Sequence, residues 1–206
     1  MIIIDTGTSN AFSVQRALRH LGYEIQATTS NATIKAAQGI ILPGVGSFDA
    51  TMNTLSQNHM IAALEQAVQK NKTPILGICV GMQILFEGSD EGISSGLGFL
   101  PGRLTKLSYC HDSPNKVPNT GFKNVNLDPN NALNIGLGVE SFFYFNHSFA
   151  LPSLTDFEAK DTASHEFEFI ASFQHGNIFG VQYHPEKSQL AGLKILKNFM
   201  EICKRQ

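Results

Sequence analysis

A cysteine between two glycines is the residue of this sequence best suited to nucleophilic chemistry. Cys79 lies in Gly77-Ile78-Cys79-Val80-Gly81, after an apolar run that predicts a strand and before a predicted helix. A nucleophile on a sharp strand-to-helix turn needs small residues two positions to either side, because backbones crowd there. A thiol at a helix N-terminus also feels the positive end of the helix dipole, which favours the thiolate. The alternative is a buried structural cysteine, since free cysteines are often interior.

A histidine and a glutamate two residues apart provide a candidate base for that thiol. They lie in Gln182-Tyr183-His184-Pro185-Glu186, and in an extended segment residues two apart point to the same side. His184 is then the base for Cys79, and Glu186 orients its imidazole. Among the seven histidines, only His184 has a carboxylate in this register at the end of an apolar strand. No two cysteines or histidines have zinc-ligand spacing, so the sequence predicts no metal site.

Two glycines after another apolar run form a candidate oxyanion site. Pro43-Gly44-Val45-Gly46 follows a predicted strand, and open α/β folds build their sites at the carboxyl ends of parallel strands. Two exposed backbone N–H groups there would hold an oxyanion. The spacing and lysine of a phosphate-binding loop are absent. The alternative is an ordinary glycine turn.

The pattern of the elements that must position these residues predicts an α/β fold. Apolar runs at 1–5, 23–28, 39–42 and 74–78 predict strands, and they alternate with predicted helices at 10–21, 61–68 and after Cys79 as far as Phe86. This alternation favours a doubly wound, mostly parallel central sheet with helices on both faces. From about residue 103 the pattern predicts an antiparallel β extension, with strands at 103–109, 142–149, 167–173 and 178–183 and turns at 112–114, 128–131 and 175–177. A closing amphipathic helix carries Leu193, Leu196, Met200 and Cys203 on one face.

Composition limits the remaining possibilities. The 206 residues are 42% hydrophobic and 16% charged, and the net charge is -2. The length fits one domain, for which 1–206 is the expected range, and no basic stripe predicts nucleic-acid binding. Three scattered cysteines argue against a disulfide framework and for a reducing compartment. Neither a signal peptide nor an apolar run of membrane-spanning length is recognisable, so a soluble, cytoplasmic protein is expected.

Five motifs in order along the chain resemble those of class I (triad-type) glutamine amidotransferases. The resemblance is strongest to the glutaminase subunits of imidazole glycerol phosphate synthases, and it covers nearly the full length. It implies a single glutamine amidotransferase domain that needs no cofactor. The matching segments are Asp5-x-Gly7-x-x-Asn10, Leu42-Pro-Gly-Val-Gly46, Leu76-Gly-Ile-Cys-Val-Gly-Met-Gln83, Tyr144-Phe-x-His-Ser148 and Gly180-Val-Gln-Tyr-His-Pro-Glu-Lys-Ser188.

The resemblance implies a reaction and a role for each matching residue. A Cys79–His184–Glu186 triad would hydrolyse glutamine to glutamate and ammonia through a thioester. The ammonia would pass to a (β/α)₈-barrel cyclase partner, which makes imidazole glycerol phosphate and an aminoimidazole ribotide in histidine biosynthesis. The oxyanion donors would be the N–H of Val80 and one N–H from Gly44, Val45 or Gly46. The residues that bind glutamine would be Gln83, Glu91, His147 and Ser148. The residues that contact the partner would be Asn10 and Lys187.

One segment departs from the family pattern. The family commonly has Pro-His-Met-Gly-Trp-Asn where this chain has Pro118-Asn119-Thr120-Gly121-Phe122-Lys123, and the chain contains no tryptophan. The departure concerns the partner-facing surface, so a paralogue that supplies ammonia to another synthase, such as one amidating bacterial surface sugars, is the alternative. A catalytically silent binding subunit is disfavoured by the intact triad, and a stand-alone cysteine hydrolase by the matches at Gln83 and 144–148.

Overall fold

Twelve strands are present in the part of the chain that the computed structural model describes, which is residues 1–7, 10–107, 116–138 and 141–205. Cys110 and the turn expected at 112–114 lie outside these ranges. The strands are β1 (Ile2–Ile4), β2 (Gln26–Thr28), β3 (Ile40–Gly44), β4 (Ile75–Cys79), β5 (Gly88–Ser89), β6 (Arg103–Lys106), β7 (Asn119–Val125), β8 (Ser141–His147), β9 (Phe149–Ala150), β10 (Ala159–Ser164), β11 (Glu168–His175) and β12 (Ile178–Val181).

A seven-stranded sheet forms the centre of the fold, in the order β10-β11-β12-β4-β3-β1-β2. The five strands from β12 to β2 are parallel, whereas β10, β11 and β12 pair antiparallel. Every residue of β3 and β4 is buried, as expected for apolar strands covered on both faces. The expected α/β fold, with a mostly parallel sheet and an antiparallel extension, is confirmed.

The helices pack around this sheet in two groups. Helix α1 contacts α6, whereas α4 contacts α2 and α3. In α6 the buried face includes Leu196, Met200 and Cys203, as the helical spacing predicts. The helices are α1 (Asn10–His20), α2 (Asn31–Lys35), α3 (Phe48–Gln57), α4 (Met60–Glu65), which a π turn over Gln66–Lys70 extends, α5 (Val80–Gln83) and α6 (Gln189–Lys204).

The structure corrects the expected elements in three places. Helices α2 and α3 were not predicted, and the Oγ atoms of Ser30 and Ser47 cap their N-termini. The helix after Cys79 is only four residues long, because the fully buried segment 84–86 turns away instead of continuing it. In the antiparallel part of the fold, β7 and β10 are added, and the run expected there at 178–183 forms β12, which pairs antiparallel with β11 but parallel with β4.

Three neighbouring parallel strands bring the candidate site together. Gly44 at the end of β3 pairs with Cys79 at the end of β4, and Val181 at the end of β12 pairs with Ile78. The segments that follow these strands therefore meet at one edge of the sheet, where doubly wound folds bind ligands. No helix in the described ranges combines the length and apolar character that a bilayer span requires.

A two-stranded ribbon of β7 and β8 lies over this edge. Two hydrogen bonds attach it to the segment that follows β12: His184 N–H donates to the Tyr144 carbonyl at 2.8 Å, and Tyr144 N–H donates to Ser188 Oγ at 2.9 Å. The ribbon thereby forms a wall beside His184.

Candidate active site

Cys79 occupies a sharp turn between β4 and α5. Its φ of 54° and ψ of -112° lie in a region that side chains other than glycine rarely adopt. A Cβ atom on Gly77 would come within 2.6 Å of Met82 Cα, and one on Gly81 would collide with the Leu42 carbonyl. The small residues predicted on either side of the cysteine are thus required by the close approach of strand and helix.

His184 and Glu186 form a buried pair beside this turn. His184 Nδ1 lies 3.0 Å from Glu186 Oε1, and the two side chains are 2% and 0% exposed. The contact does not come from strand alternation as expected, because Pro185–Lys187 form a 3₁₀ turn that brings the carboxylate back to the ring. Since Nδ1 faces the carboxylate, Nε2 is the ring nitrogen left for the thiol.

The electrostatics of this pair favour a charged histidine. Burial alone would lower the pKa of His184, but hydrogen bonds with Cys79 and Glu186, and Coulombic interactions with the same two groups, raise it to about 10. Burial alone would raise the pKa of Glu186, but hydrogen bonding and attraction to His184, and a hydrogen bond from Asn10, lower it. His184 is therefore an imidazolium at neutral pH, suited to stabilise a thiolate and to donate a proton.

A cavity of about 270 Å³ opens in front of Cys79. This lies just below the roughly 300 Å³ at which small-molecule sites begin, so it fits an amino acid better than a nucleotide. Nine of its lining residues, His184 among them, were expected from the sequence in catalytic, oxyanion or substrate roles. The lining residues are Val45, Gly46, Cys79, Val80, Gln83, Glu91, Pro118, Asn146, His147, Ser148, Phe149 and His184.

Two expected substrate ligands also hold the walls of this cavity. Gln83 Nε2 donates to the Phe149 carbonyl at 3.1 Å and to Gln182 Oε1 at 3.0 Å. Glu91 Oε2 accepts the N–H of Phe48, the first residue of α3, at 2.8 Å. The alternative that these residues are simply polar groups on a helix surface is wrong for Gln83, which is buried.

His147 is held by protein groups at both ring nitrogens. Its Nε2 lies 2.9 Å from Asn119 Nδ2, and its Nδ1 lies 2.9 Å from the Phe149 carbonyl. Burial lowers the pKa of His147 to about 4, outweighing the hydrogen bond to Phe149. The ring is therefore neutral at pH 7, with Nδ1–H donating and Nε2 accepting. Although His147 lines the cavity, both of its ring nitrogens form hydrogen bonds within the cavity wall.

The two expected partner contacts lie in different settings. Lys187 is exposed, with Nζ 5.7 Å from the centre of the Tyr144 ring. Asn10 differs from the expectation: it is only 5% exposed, and its Nδ2 donates to Glu186 Oε1 at 2.8 Å. The topology brings the start of α1 against the 3₁₀ turn, so the amide faces the triad instead of a partner surface.

Sequence reasoning missed two buried amides in the site. Gln182 Nε2 donates to Cys79 Sγ at 3.7 Å, and Asn119, 1% exposed, is the partner of His147. A signal existed for Gln182, because it stands two residues before His184 in the same motif. Asn119 lies in the segment that departs from the family pattern, so that pattern gave no role for it.

Comparison with known proteins identifies the family. The model of the glutamine amidotransferase class-I family matches residues 2–203. The chain belongs to this family. It is 41% identical over 203 residues to the imidazole glycerol phosphate synthase subunit HisH of Moorella thermoacetica, covering 98% of this chain and 94% of the relative. It is 37% identical over 208 residues to subunit HisH 2 of Vibrio vulnificus, covering 100% and 96%.

Solved structures show the same class I amidotransferase fold. A putative GMP synthase component from Thermoplasma acidophilum superposes with a TM-score of 0.71 at 23% identity, covering 99% of this chain and 93% of that one. Within the described ranges, no group of three or more His, Cys, Asp or Glu side chains is arranged to hold a metal ion.

Proposed function

We propose that this chain is a glutaminase subunit that hydrolyses glutamine to glutamate and ammonia at Cys79. The observation that carries the proposal is the convergence of three elements: the strained cysteine turn, the buried His184–Glu186 pair and one cavity lined by both Cys79 and His184. Membership of the class-I glutamine amidotransferase family supports this reaction over other thiol chemistry.

The geometry supports a thioester route. The Cys79 thiolate attacks the side-chain carbonyl carbon of glutamine, and the carbonyl oxygen becomes an oxyanion. The N–H of Val80 and one from Gly44, Val45 or Gly46 stabilise that oxyanion, which is consistent with the pairing of Gly44 with Cys79. The His184 imidazolium protonates the departing nitrogen, and ammonia leaves. Neutral His184 then takes a proton from water, which attacks the thioester and releases glutamate.

The cavity walls support glutamine as the substrate. The amide nitrogen of Gln83 is engaged by Phe149 and Gln182, so its carbonyl oxygen is the atom left to accept a hydrogen bond from the substrate. Glu91 and Ser148 add polar groups to the same cavity. We assign the neutral His147 to supporting this wall, since its ring nitrogens already have protein partners.

We place a cyclase partner of (β/α)₈-barrel type over the β7–β8 ribbon, as the HisH relatives' names imply a second synthase subunit. The solvent face of the ribbon carries Phe122 and Phe142, which are 46% and 52% exposed. Tyr144 packs edge-on against Phe122 with ring centres 5.6 Å apart, and Lys187 stands over its ring. Exposed aromatic side chains are enriched at the centre of protein interfaces, and a lysine beside them fits the polar rim.

The test is Cys79→Ala in the complex with its partner. Without the thiol no thioester forms, so glutamine-dependent synthesis is lost, while added ammonia bypasses the glutaminase site and still supports synthesis. Cys203→Ala is the matched control, because that thiol lies on the core face of α6. Glutamine hydrolysis that persists in Cys79→Ala would refute the assignment of the nucleophile.

A second candidate is the same chemistry serving a different ammonia acceptor, such as a synthase that amidates a bacterial surface sugar. It is favoured by the departure at residues 118–123, since Phe122 stands on the proposed partner face. Purification of the chain with each candidate partner distinguishes the two: the true partner raises the glutaminase rate, and the other leaves it unchanged.

A further inference from the structure

The amide of Asn10 is the second side-chain donor to the carboxylate of the candidate triad. We propose that Asn10 is a positioning residue, which holds Glu186 so that one of its oxygens stays against His184 Nδ1. The proposal rests on the glutaminase function above and adds Asn10 to the candidate triad as a fourth side chain. Asn10 acts through Glu186, since it does not line the substrate cavity.

The hydrogen bonds around Glu186 converge on one oxygen. Oε1 lies 3.0 Å from His184 Nδ1 and accepts from Asn10 Nδ2 at 2.8 Å. The other oxygen, Oε2, is buried, and no hydrogen-bond partner for it lies within the described ranges. A carboxylate held at one oxygen by a single donor would be free to rotate, whereas two donors from different directions fix it.

An amide suits this position because it supplies a donor without a charge. Asn10 Nδ2 also lies 3.3 Å from His184 Nδ1, so the amide contacts both members of the pair. An aspartate of the same shape would offer only acceptors when ionised and would repel Glu186. The first residue of α1 is fixed by the helix, which itself packs against the 3₁₀ turn that carries Glu186.

Two variants separate positioning from packing in the complex of this chain with its partner. Asn10→Ala removes the donor, and we expect kcat to fall about tenfold, the low end of what a hydrogen bond to a charged group contributes. KM should stay within about twofold, because Asn10 is outside the cavity. Asn10→Asp keeps the shape, so a packing role predicts that it retains more activity than Asn10→Ala at every pH.

The pH dependence gives the sharper distinction. Two adjacent carboxylates share a proton as pH falls, and the carboxyl group introduced by Asn10→Asp regains a donor once it is protonated. The loss of kcat in Asn10→Asp, relative to the wild type, should therefore become smaller from about pH 8.5 to about pH 6. The loss of kcat in Asn10→Ala should be independent of pH. The other titratable groups around His184 are Cys79, Tyr144 and His147, with Lys187 over Tyr144, and both variants leave them unchanged. Asn53→Asp, on the exposed side of α3, is the matched charge control.

An alkylation assay separates this inference from the proposed function. Iodoacetamide modification of Cys79, followed by mass spectrometry across pH on the full chain, reports thiolate formation without any substrate. We expect both Asn10 variants to shift the alkylation profile, whereas Asn53→Asp follows the wild type. A shift in a chain that hydrolyses no glutamine even with its partner and bound acceptor would refute the glutaminase and keep the positioning role. Unshifted profiles together with an unchanged kcat in both Asn10 variants would overturn the positioning role.

Discussion

The buried, neutral His147 makes the stability of the fold sensitive to mild acid. Its pKa is about 4 in the folded protein, whereas an unfolded chain has the ordinary value near 6.5. A histidine with a depressed folded pKa contributes stability above pH 6.5, and that stability is lost as pH falls toward 4. The experiment therefore compares how acidification changes the free energy of unfolding of the wild type and of His147→Gln. The glutamine amide in this variant keeps one hydrogen-bond donor and one acceptor.

The magnitude follows from the difference between the two pKa values. This difference corresponds to about 3 kcal/mol, of which about 2 kcal/mol is lost between about pH 7.5 and about pH 5. His184 acts in the opposite direction over this range: its folded pKa of about 10 is raised, so its contribution is fully present only below pH 6.5. The measured quantity is therefore the difference between wild type and variant, from which His184 cancels.

Urea unfolding of the full chain at these two pH values tests the reasoning. The free energy of unfolding of the wild type should fall by about 2 kcal/mol more than that of His147→Gln. His175→Gln is the matched control: the imidazole of His175 is exposed, so this variant should follow the wild type. Equal pH dependence in the wild type and His147→Gln would refute the account of His147 as a neutral part of the cavity wall.

Three further outcomes follow from the site. Glu186→Gln should lower the glutaminase rate less than His184→Ala, since the carboxylate acts through the histidine; equal losses in steady-state rates with the partner present would give Glu186 a larger role. Gly77→Ala should lower the free energy of unfolding by about 1–3 kcal/mol in urea titrations, because the new Cβ meets Met82, and an unchanged midpoint would contradict this. The isolated chain should be a poor glutaminase, and its partner with bound acceptor should activate it about 10²–10³-fold, which is the contribution of one oxyanion donor. The physical reason is that Gly46, at φ +103°, allows the loop to reorient its backbone N–H groups. Equal rates for the chain by itself, with partner, and with partner plus acceptor would refute this activation by the partner.

Local sequence was sufficient for the framework of the site. Apolar runs ending in glycine or cysteine predicted the parallel strands β3 and β4, and strands of this kind must end at one sheet edge. The run that ends at His184 was assigned to the antiparallel extension, whereas β12 pairs parallel with β4. The Cys79 turn was predictable because its steric demand falls on Gly77 and Gly81, which are neighbours in sequence. The same holds for the pair of His184 and Glu186, although a 3₁₀ turn makes their contact in place of an extended strand.

Contacts set by topology were beyond local reasoning. Asn10 and Glu186 are separated by 176 positions, and no local pattern indicates that the start of α1 meets the turn after β12. Helix α3 was missed because its sequence is rich in polar residues of modest helix propensity; a Ser47 cap and the Glu91 carboxylate at Phe48 N–H stabilise its start. Asn119 had no visible role until the ribbon placed it on His147.

The backbone conformation that presents the Cys79 thiol lowers the stability of the fold. A non-glycine residue at φ 54° and ψ -112° costs about 1–3 kcal/mol, which glycine avoids, and the added freedom of glycine in the unfolded chain offsets only about 0.5–1 kcal/mol. Replacing the nucleophile by glycine would therefore abolish the chemistry and relieve the backbone strain at once, with the loss of a side chain that is only 4% exposed. The strained turn is therefore a consequence of presenting a thiol at this position, and the rest of the fold must offset its cost.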